Sequence, residues 1–563
     1  MEAVEKLGRT IYANNDTDLA TFLYETGRTG TKNQEDLLQE SLRLLKGDKS
    51  QTLLQVDIWT RLGLLVMLNP DLAEKRFRTA IELAESLDDS QRALVSDLPE
   101  RGLATILNDQ DLIDEALIQA KSAIELARRL KHDEELVLLL CDLSNIYWNL
   151  LDEERAIETA DEAVKIASTN GEVENQLKAW NHRLELEQRR PRYNMSLQRE
   201  LVTRAMSFVK ENWPVLHRNH GGPLAQVLGT SRAFLWTAGA TDEADKITQR
   251  SALLSAYLQA SVDRNTAWNL RWHGDIERSI EYYDRANRTI QKGGGYWGFI
   301  SCGRAYESVR DFESQLKQLQ KAVEIGNDDV EPWTSMSLDF AIASTLRRLG
   351  KNDEARKVFE ELAIEMRNHS LRLWGEATAS AYLFWVEMSE AQDKFVDESS
   401  GSFYDQALQQ LDDDMPVWPT GRVYTHAVLG MIAERKGDLN MATERFIKAN
   451  GERPGTFAQI HTEWVTDHLV ELLVNANRLD ECERILRDDI TRRDAQVTPI
   501  HPERAFVRLR LVQFLVDHKR DTTGAAAWLA EAKKIYEYHA NVLPQAEIDK
   551  LSELEQAVAS TER

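Results

Sequence analysis

A short pattern of small and bulky apolar residues recurs along the chain. A small residue is followed four positions later by a bulky or small apolar residue, and three positions after that by another residue that is usually alanine. Offsets of 0, +4 and +7 place the three side chains on one stripe of an α-helix, so the pattern predicts a series of helices that each bury one narrow face. The copies are Ala73–Phe77–Ala80, Ala116–Ala120–Ala123, Ala156–Ala160–Ala163, Ser279–Tyr283–Ala286, Ala355–Phe359–Leu362, Ala442–Phe446–Ala449 and Ala525–Leu529–Ala532.

A second helix precedes each stripe, and a tight turn joins the two. The clearest copy has Gly430 in the first helix, Gly437 at the turn, the stripe beginning at Ala442 in the second helix, and Pro454 after it. Glycine permits the left-handed backbone of a helix end, and proline stops a helix. The pattern therefore predicts antiparallel helix pairs, in which small residues allow close approach and bulky ones such as Phe446 fill the gap to the next helix.

These positions resemble the tetratricopeptide repeat, whose pattern is W-x2-L-G-x2-Y, then A-x3-F-x2-A, then P. Ala80, Ala123 and Ala163 follow one another at steps of 43 and 40 residues. That period is longer than the roughly 34 residues of a standard repeat, and it resembles the long-helix branch of the family. The resemblance implies an all-α, right-handed superhelical solenoid of antiparallel helix pairs, with about eleven pairs in the chain.

The repeat spacing predicts three regions. Residues 1–48 form an N-terminal helical cap, residues 49–541 form the repeat array, and residues 542–563 form a C-terminal capping helix. The last helix has apolar side chains at spacings of three or four and polar residues between them. An open stack requires such a solvent-facing cap at its end.

Composition agrees with a helical chain and narrows its setting. The 563 residues include only 27 Gly and 12 Pro, which disfavours a sheet-rich fold that needs frequent turns. The net charge of −24 disfavours direct nucleic-acid binding, because phosphate neutralisation supplies most of that affinity. Three scattered cysteines exclude a disulfide framework. Without a leader or a long apolar segment, the sequence predicts a cytoplasmic protein that does not bind membranes.

The histidines and cysteines lack the neighbouring residues that a metal site or a catalytic site requires. His217 and His220 lie three apart in a Gly/Pro stretch that predicts an exposed loop, with no third metal ligand nearby in sequence. Cys302 and Cys482 occupy helix-packing positions, which predicts small buried residues rather than nucleophiles. The sequence therefore predicts no catalytic residues, no metal, no cofactor and no enzymatic activity.

The first helices of the pairs carry a different candidate, because the resemblance implies that they line a concave groove. Arginine and tryptophan are enriched at binding hot spots, and arginine matches carboxylates bidentately. We therefore expect a groove that binds a partner protein or peptide, with an acidic or C-terminal peptide as one candidate class. In the alternative interpretation, the arginines pair with neighbouring Glu and Asp. The predicted groove residues are Asn145, Trp148, Arg264, Trp268, Arg271, Arg304, Phe340 and Arg347.

The expected function is that of a non-enzymatic scaffold or adaptor that binds a partner peptide or helix in this groove. The alternative is a regulatory or sensor subunit that binds an effector and controls a partner enzyme or signalling ATPase. Solenoids suit both functions, because rigid pairs present a preformed surface and the array flexes along its length.

Overall fold

The computed structural model of the chain describes most of the predicted array, and its helices confirm the all-α fold class. Within the described ranges the structure consists of helices and short turns and contains no strand. The described residues are 5, 9–12, 15–28, 34–67, 69–95, 98–109, 112–150, 152–170, 173–189, 195–219, 221–289, 296–326, 332–358, 361, 419–452, 459–519 and 521–561.

The described residues divide into two compact units, the first ending at Ala179 and the second beginning at Trp180. In the first unit, neighbouring helices pack against each other in chain order. Its helices are α1 (Asp16–Arg28), α2 (Gln34–Leu44), α3 (Thr52–Leu65), α4 (Pro70–Ala84), α5 (Asp89–Arg92), α6 (Pro99–Asp109), α7 (Ile113–Leu130), α8 (Asp133–Asn149), α9 (Glu153–Asn170) and the first part of α10 (Val173–Arg189).

The second unit begins within α10 and continues as further helix pairs. A π-helical segment, Leu515–Lys519, directly follows the helix Pro502–Phe514. The remaining helices are α11 (Met195–Asn219), α12 (Gly221–Thr237), α13 (Thr241–Ser251), α14 (Ala256–Trp272), α15 (Ile276–Thr289), α16 (Tyr296–Glu307), α17 (Phe312–Gly326), α18 (Pro332–Arg348), α19 (Pro419–Arg435), α20 (Leu439–Gly451), α21 (Gln459–Asn475), α22 (Leu479–Gln496), α23 (Pro502–Phe514), α24 (Thr522–Tyr538) and α25 (Gln545–Thr561).

The predicted stripes form the contact between paired helices. Every stripe residue whose side chain is described is buried, whereas Phe359 and Leu362 lie outside the described side chains. Phe77 of α4 is fully buried, and its ring fills the space above two glycines. A Cβ atom added at Gly63 of α3 or at Gly102 of α6 would lie 2.7 or 2.3 Å from that ring. One bulky side chain thus joins its own pair to the next.

Hydrogen bonds from a serine hydroxyl to a backbone carbonyl also join the two helices of a pair. The Ser144 hydroxyl of α8 donates to the carbonyl of Ala156 on α9 at 2.7 Å. In a later pair, the Ser279 hydroxyl of α15 donates to the carbonyl of Ala267 on α14, also at 2.7 Å. The two contacts join equivalent positions with donor and acceptor exchanged, which shows that the sequence repeat is a structural repeat.

The predicted intra-pair turns have the expected geometry. Gly437 and Gly350 have φ values of +79° and +73°, and the Asp438 carboxylate caps α20 by accepting from the Met441 N–H at 2.9 Å. Two other intra-pair turns have a non-glycine residue in the same left-handed region, at Arg310 and Asn477, and Lys131 does so between successive pairs.

The stretch around His217 differs from its prediction. His217 lies within α11, which ends at Asn219, and the glycines that follow open α12. Proline is tolerated in the first turn of a helix, because the N–H that it lacks has no intrahelical partner there. Pro223 therefore does not break α12, and the predicted exposed loop is wrong, with His220 outside the described residues.

The close approach at Gly430 gives a test of the pairing. A Cβ atom there would lie 2.7 Å from the fully buried Phe446 ring, whereas a Cβ at Gly451, in the same helix pair, would meet nothing within 4 Å. We expect Gly430→Ala to lower the free energy of unfolding of the second unit by about 1–2 kcal/mol, since overpacking exceeds the gain in helix propensity.

Gly451→Ala is the matched control, and it should leave stability unchanged or raise it slightly. Urea unfolding followed by circular dichroism measures both variants. Equal stability of the two variants would contradict the packing of Phe446 on Gly430.

Candidate functional site

The predicted groove residues belong to different units. Asn145 and Trp148 lie on α8 in the first unit, and both are half-buried. The other six lie in the second unit, on α14, α16 and α18, which are each the first helix of a pair. The structure places these six on successive first helices, as the repeat spacing requires.

On α14, three of the predicted residues share one stripe. Arg264, Trp268 and Arg271 are spaced by four and three residues, which is one face of a helix. Arg264 and Trp268 are half-buried. Arg304 on α16 and Phe340 on α18 are half-buried, and Arg347 at the end of α18 is exposed. We call Arg264, Trp268, Arg304, Phe340 and Arg347 the first-helix surface.

Two arginines of this surface make no side-chain hydrogen bond or ion pair with any residue that the structure describes, and these are Arg264 and Arg304. The adjacent carboxylate, Asp263, is committed elsewhere. It accepts from the buried Arg232 guanidinium at 2.8 Å and from Arg285 at 2.6 Å through both oxygens. The alternative in which local acids neutralise these arginines therefore does not hold for Asp263 and Arg264.

Arg271 is in a different environment from the one predicted for it. Its residue is only 4% exposed, and its guanidinium lies 4.3 Å from the Trp272 ring centroid and 5.2 Å from that of Trp268. Burial lowers its pKa to about 10, and the nearby Arg304 contributes in the same direction. The groove prediction does not include this burial, and Arg271 lies near His501 and Glu503, residues more than 200 positions later in the chain.

Those residues form a contact within the second unit that we call the closure contact. It joins the α14–α15 turn, at His273 and Gly274, to Thr498 and His501 before α23. The Thr498 hydroxyl donates to the His273 carbonyl at 2.6 Å. A Cβ at Gly274 would lie 2.7 Å from the Cα of His501, so only glycine permits this approach.

The closure contact continues beyond the turn. The Arg310 guanidinium lies 4.0 Å from the Phe506 ring centroid and 3.5 Å from the Glu547 carboxylate on α25. On the other side of the turn, Asn541 donates to Glu277 at 3.2 Å. The helix α25 lies within the predicted C-terminal cap, and part of its polar face pairs with an earlier repeat instead of meeting only solvent.

Charged and titratable groups are buried at the closure contact. Arg493 and Glu503 form an ion pair at 3.2 Å, and both side chains are almost fully buried. Burial lowers the pKa of His273 to about 4. It also lowers the pKa of His501 well below its usual value, with His539 and Arg493 adding to the effect. The closed arrangement thus requires neutral histidines.

Sequence reasoning missed every residue on the later side of this contact. Arg493 and Glu503 belong to helices whose local pattern is ordinary amphipathic spacing, and His501 precedes one of these helices. Across the contact, Thr498 bonds to His273 and Glu503 lies near Arg271, in each case more than 200 residues away in sequence. A single sequence contains no signal for a contact of that separation.

A tetratricopeptide-repeat family model matches residues 138–170, which span the α8–α9 pair with the Ser144–Ala156 contact. The same pair geometry recurs through both units. The chain thus contains a tetratricopeptide repeat and has a tetratricopeptide-repeat-like fold. Tetratricopeptide repeats are protein-interaction scaffolds in general, and that coarse description applies to this repeat protein.

Solved structures add likenesses of low similarity. Yeast Tom70 is 14% identical, with 91% of this chain and 99% of that chain covered at a TM-score of 0.34. The human IFIT1 dimer with m7Gppp-AAAA is 14% identical, with 87% and 90% covered at a TM-score of 0.32. Among curated proteins, none matches the sequence.

No group of three or more His, Cys, Asp or Glu in the described part of the repeat protein is placed to hold a metal ion. None of its described helices is long and apolar enough to cross a membrane. Cys141, Cys302 and Cys482 are all buried free thiols, as the packing prediction for the last two requires.

The closure contact predicts a dependence of stability on pH. The unfolded chain protonates His273 near pH 6.5, whereas the folded chain does so near pH 4. Between these values the unfolded state binds more protons, so stability falls as pH falls. We expect the second unit to lose about 2 kcal/mol between pH 7.5 and pH 5 from His273 alone.

His273→Gln should remove that part of the pH dependence, and His518→Gln, at an exposed histidine, should retain it. Urea unfolding at the two pH values measures the difference for each variant. An unchanged pH dependence in His273→Gln would show that this histidine is not buried in its neutral form.

Proposed function

We propose that the chain is a non-enzymatic scaffold or adaptor whose first-helix surface binds an acidic segment of a partner protein, as an extended peptide or a helix. The observation that carries this proposal is the pair of arginines, Arg264 and Arg304, without partners among the described residues. In a protein with 93 acidic and 69 basic residues, basic side chains that remain unpaired are available to a carboxylate from outside.

The surrounding side chains support the same proposal. Trp268 is half-buried between Arg264 and Arg271 and offers a flat apolar face, while Phe340 adds a second ring on α18. Aromatic anchors beside arginines are typical of binding hot spots, and a guanidinium gives two parallel hydrogen bonds to a carboxylate. A partner's C-terminal carboxylate is one form of this ligand.

Arg271 supports the surface from below instead of contacting the partner. Its cation holds the Trp268 and Trp272 rings, whose centroids lie 5.8 Å apart. In this arrangement Arg264 is accessible to the partner, whereas Arg271 lies beneath the first-helix surface. Buried free cysteines agree with a reducing compartment such as the cytoplasm, which we propose as the location.

The closure contact favours a second candidate function, a regulatory or sensor subunit. A contact between segments more than 200 residues apart offers an arrangement that can open and close. An effector that binds only one of these states shifts the population towards it. Hydrogen exchange of α14 and α23, with and without a partner enzyme or ATPase, tests this candidate, which predicts coupled changes in both helices.

The scaffold proposal is tested with a double charge reversal, Arg264→Glu with Arg304→Glu. Both side chains are partly exposed and pair with no residue in the described part of the chain, so the fold should remain intact. Acidic peptides selected from a random library on the wild-type chain should bind this variant at least tenfold more weakly, since each lost charge-assisted contact contributes about 1.5–3 kcal/mol.

Arg199→Glu with Arg288→Glu is the matched control, because it makes the same charge change at exposed positions on second helices. The control should retain wild-type affinity, measured by fluorescence anisotropy. Equal affinity of the peptides for both double variants, or a selection that yields no acidic peptides, would overturn the proposal.

A further inference from the structure

A cleft lies where the α16–α17 turn meets the C-terminal helices of the second unit. Its volume is about 240 Å³, and it shares no residue with the first-helix surface. Phe506, Phe514 and Val470 supply an apolar wall. Polar and charged side chains from the turn, α21, α23, the π-helical segment and α25 complete the lining, and these are Arg310, Asp467, Arg510, Gln513, Asp517, His518 and Lys550.

Two uncommon backbone features meet at this cleft. Arg310 has a φ of +61° at a turn where the pairs containing Gly274, Gly350 and Gly437 have glycine. The left-handed region is unfavourable for a residue with a Cβ, and such residues cluster at functional sites. The π-helical segment that supplies Asp517 and His518 is also a rare structure with the same tendency.

The positively charged side chains in the cleft differ in the number of carboxylates that pair with them. Arg510 pairs with Asp467 at 2.5 Å and with Asp489 at 3.5 Å, and Arg310 pairs with Glu547 at 3.5 Å. Lys550 has no hydrogen bond or ion pair with any residue that the structure describes. Desolvation and the nearby Arg310 lower the pKa of Lys550, whereas the carboxylates of Glu547 and Asp467 act in the opposite direction without forming an ion pair with it. The Lys550 side chain is exposed, so its ammonium group is accessible to an anion from outside the chain.

We propose that this cleft binds a small organic anion, with Lys550 and Arg310 holding its carboxylate or phosphate group and the rings of Phe506 and Phe514 contacting its apolar body. The arginine already lies 4.0 Å from the Phe506 centroid, so charge and apolar surface are adjacent. The volume is below the roughly 300–1,000 Å³ of sites for drug-sized ligands. The occupant is therefore about the size of one ring with one acidic group.

The test uses benzoate and phenyl phosphate as probes, with benzamide as the uncharged counterpart, in calorimetric titrations of the full chain. We expect at least one anion to bind with a Kd of about 1 mM or tighter, and benzamide not to bind. The two anions separate a carboxylate site from a phosphate site. Lys550→Met should lower the affinity for the anion at least tenfold, whereas Lys550→Arg should retain the wild-type affinity.

Lys534→Met is the matched control, because it removes an exposed lysine of α24 outside the cleft. It should bind the anion as the wild type does, and circular dichroism verifies that each variant is folded. Binding of neither anion at about 10 mM, equal binding of benzamide, or equal weakening by Lys534→Met would overturn the proposal. Peptide capture by the first-helix surface is measured separately, so failure of one proposal leaves the other standing.

Discussion

The close approach of helices at small residues is the constraint on which the rest of the structure depends. Phe77 packs above Gly63 and Gly102, and Phe446 packs above Gly430. A side chain of any size at these glycines would separate the helices, and the bulky ring would lose its contacts. Phe77 joins its own pair to the following one, so the stripe on α4 sets the position of α6. Packing of this kind also positions the helices that carry the first-helix surface.

The same reasoning explains which parts of the structure could be predicted from sequence. The stripes and the turns at Gly350 and Gly437 are local, since their residues lie within one helix pair, and spacing alone identifies them. Cys302 and Cys482 were predicted as buried for the same reason. The closure contact depends instead on His273 meeting Thr498, which is 225 positions later in the chain. Whether two segments so far apart in sequence meet depends on the packing angles of all the helix pairs between them. A periodic sequence pattern does not specify those angles.

The stretch around His217 shows a different reason for failure. Glycine and proline normally indicate a break between helices, and the prediction there followed that rule. The structure accommodates Pro223 in the first turn of α12 and Pro214 inside α11. Tertiary packing decides such cases, because local propensity is worth only a few kcal/mol at most. The predicted groove residue Arg271 is buried, and it lies near Glu503 of the distant segment that forms the closure contact.

The closure contact also links the two proposed binding sites physically. Arg271 supports Trp268 of the first-helix surface and lies near Glu503 at the start of α23. The same helix carries Phe506 and Arg510, which line the cleft. A change in the position of α23 would therefore alter the support beneath Trp268 and the wall of the cleft together. An anion that favours the closed arrangement would favour one state of the first-helix surface. Thermodynamic linkage then requires a peptide bound at that surface to change the affinity for the anion by the same factor as the anion changes the affinity for the peptide.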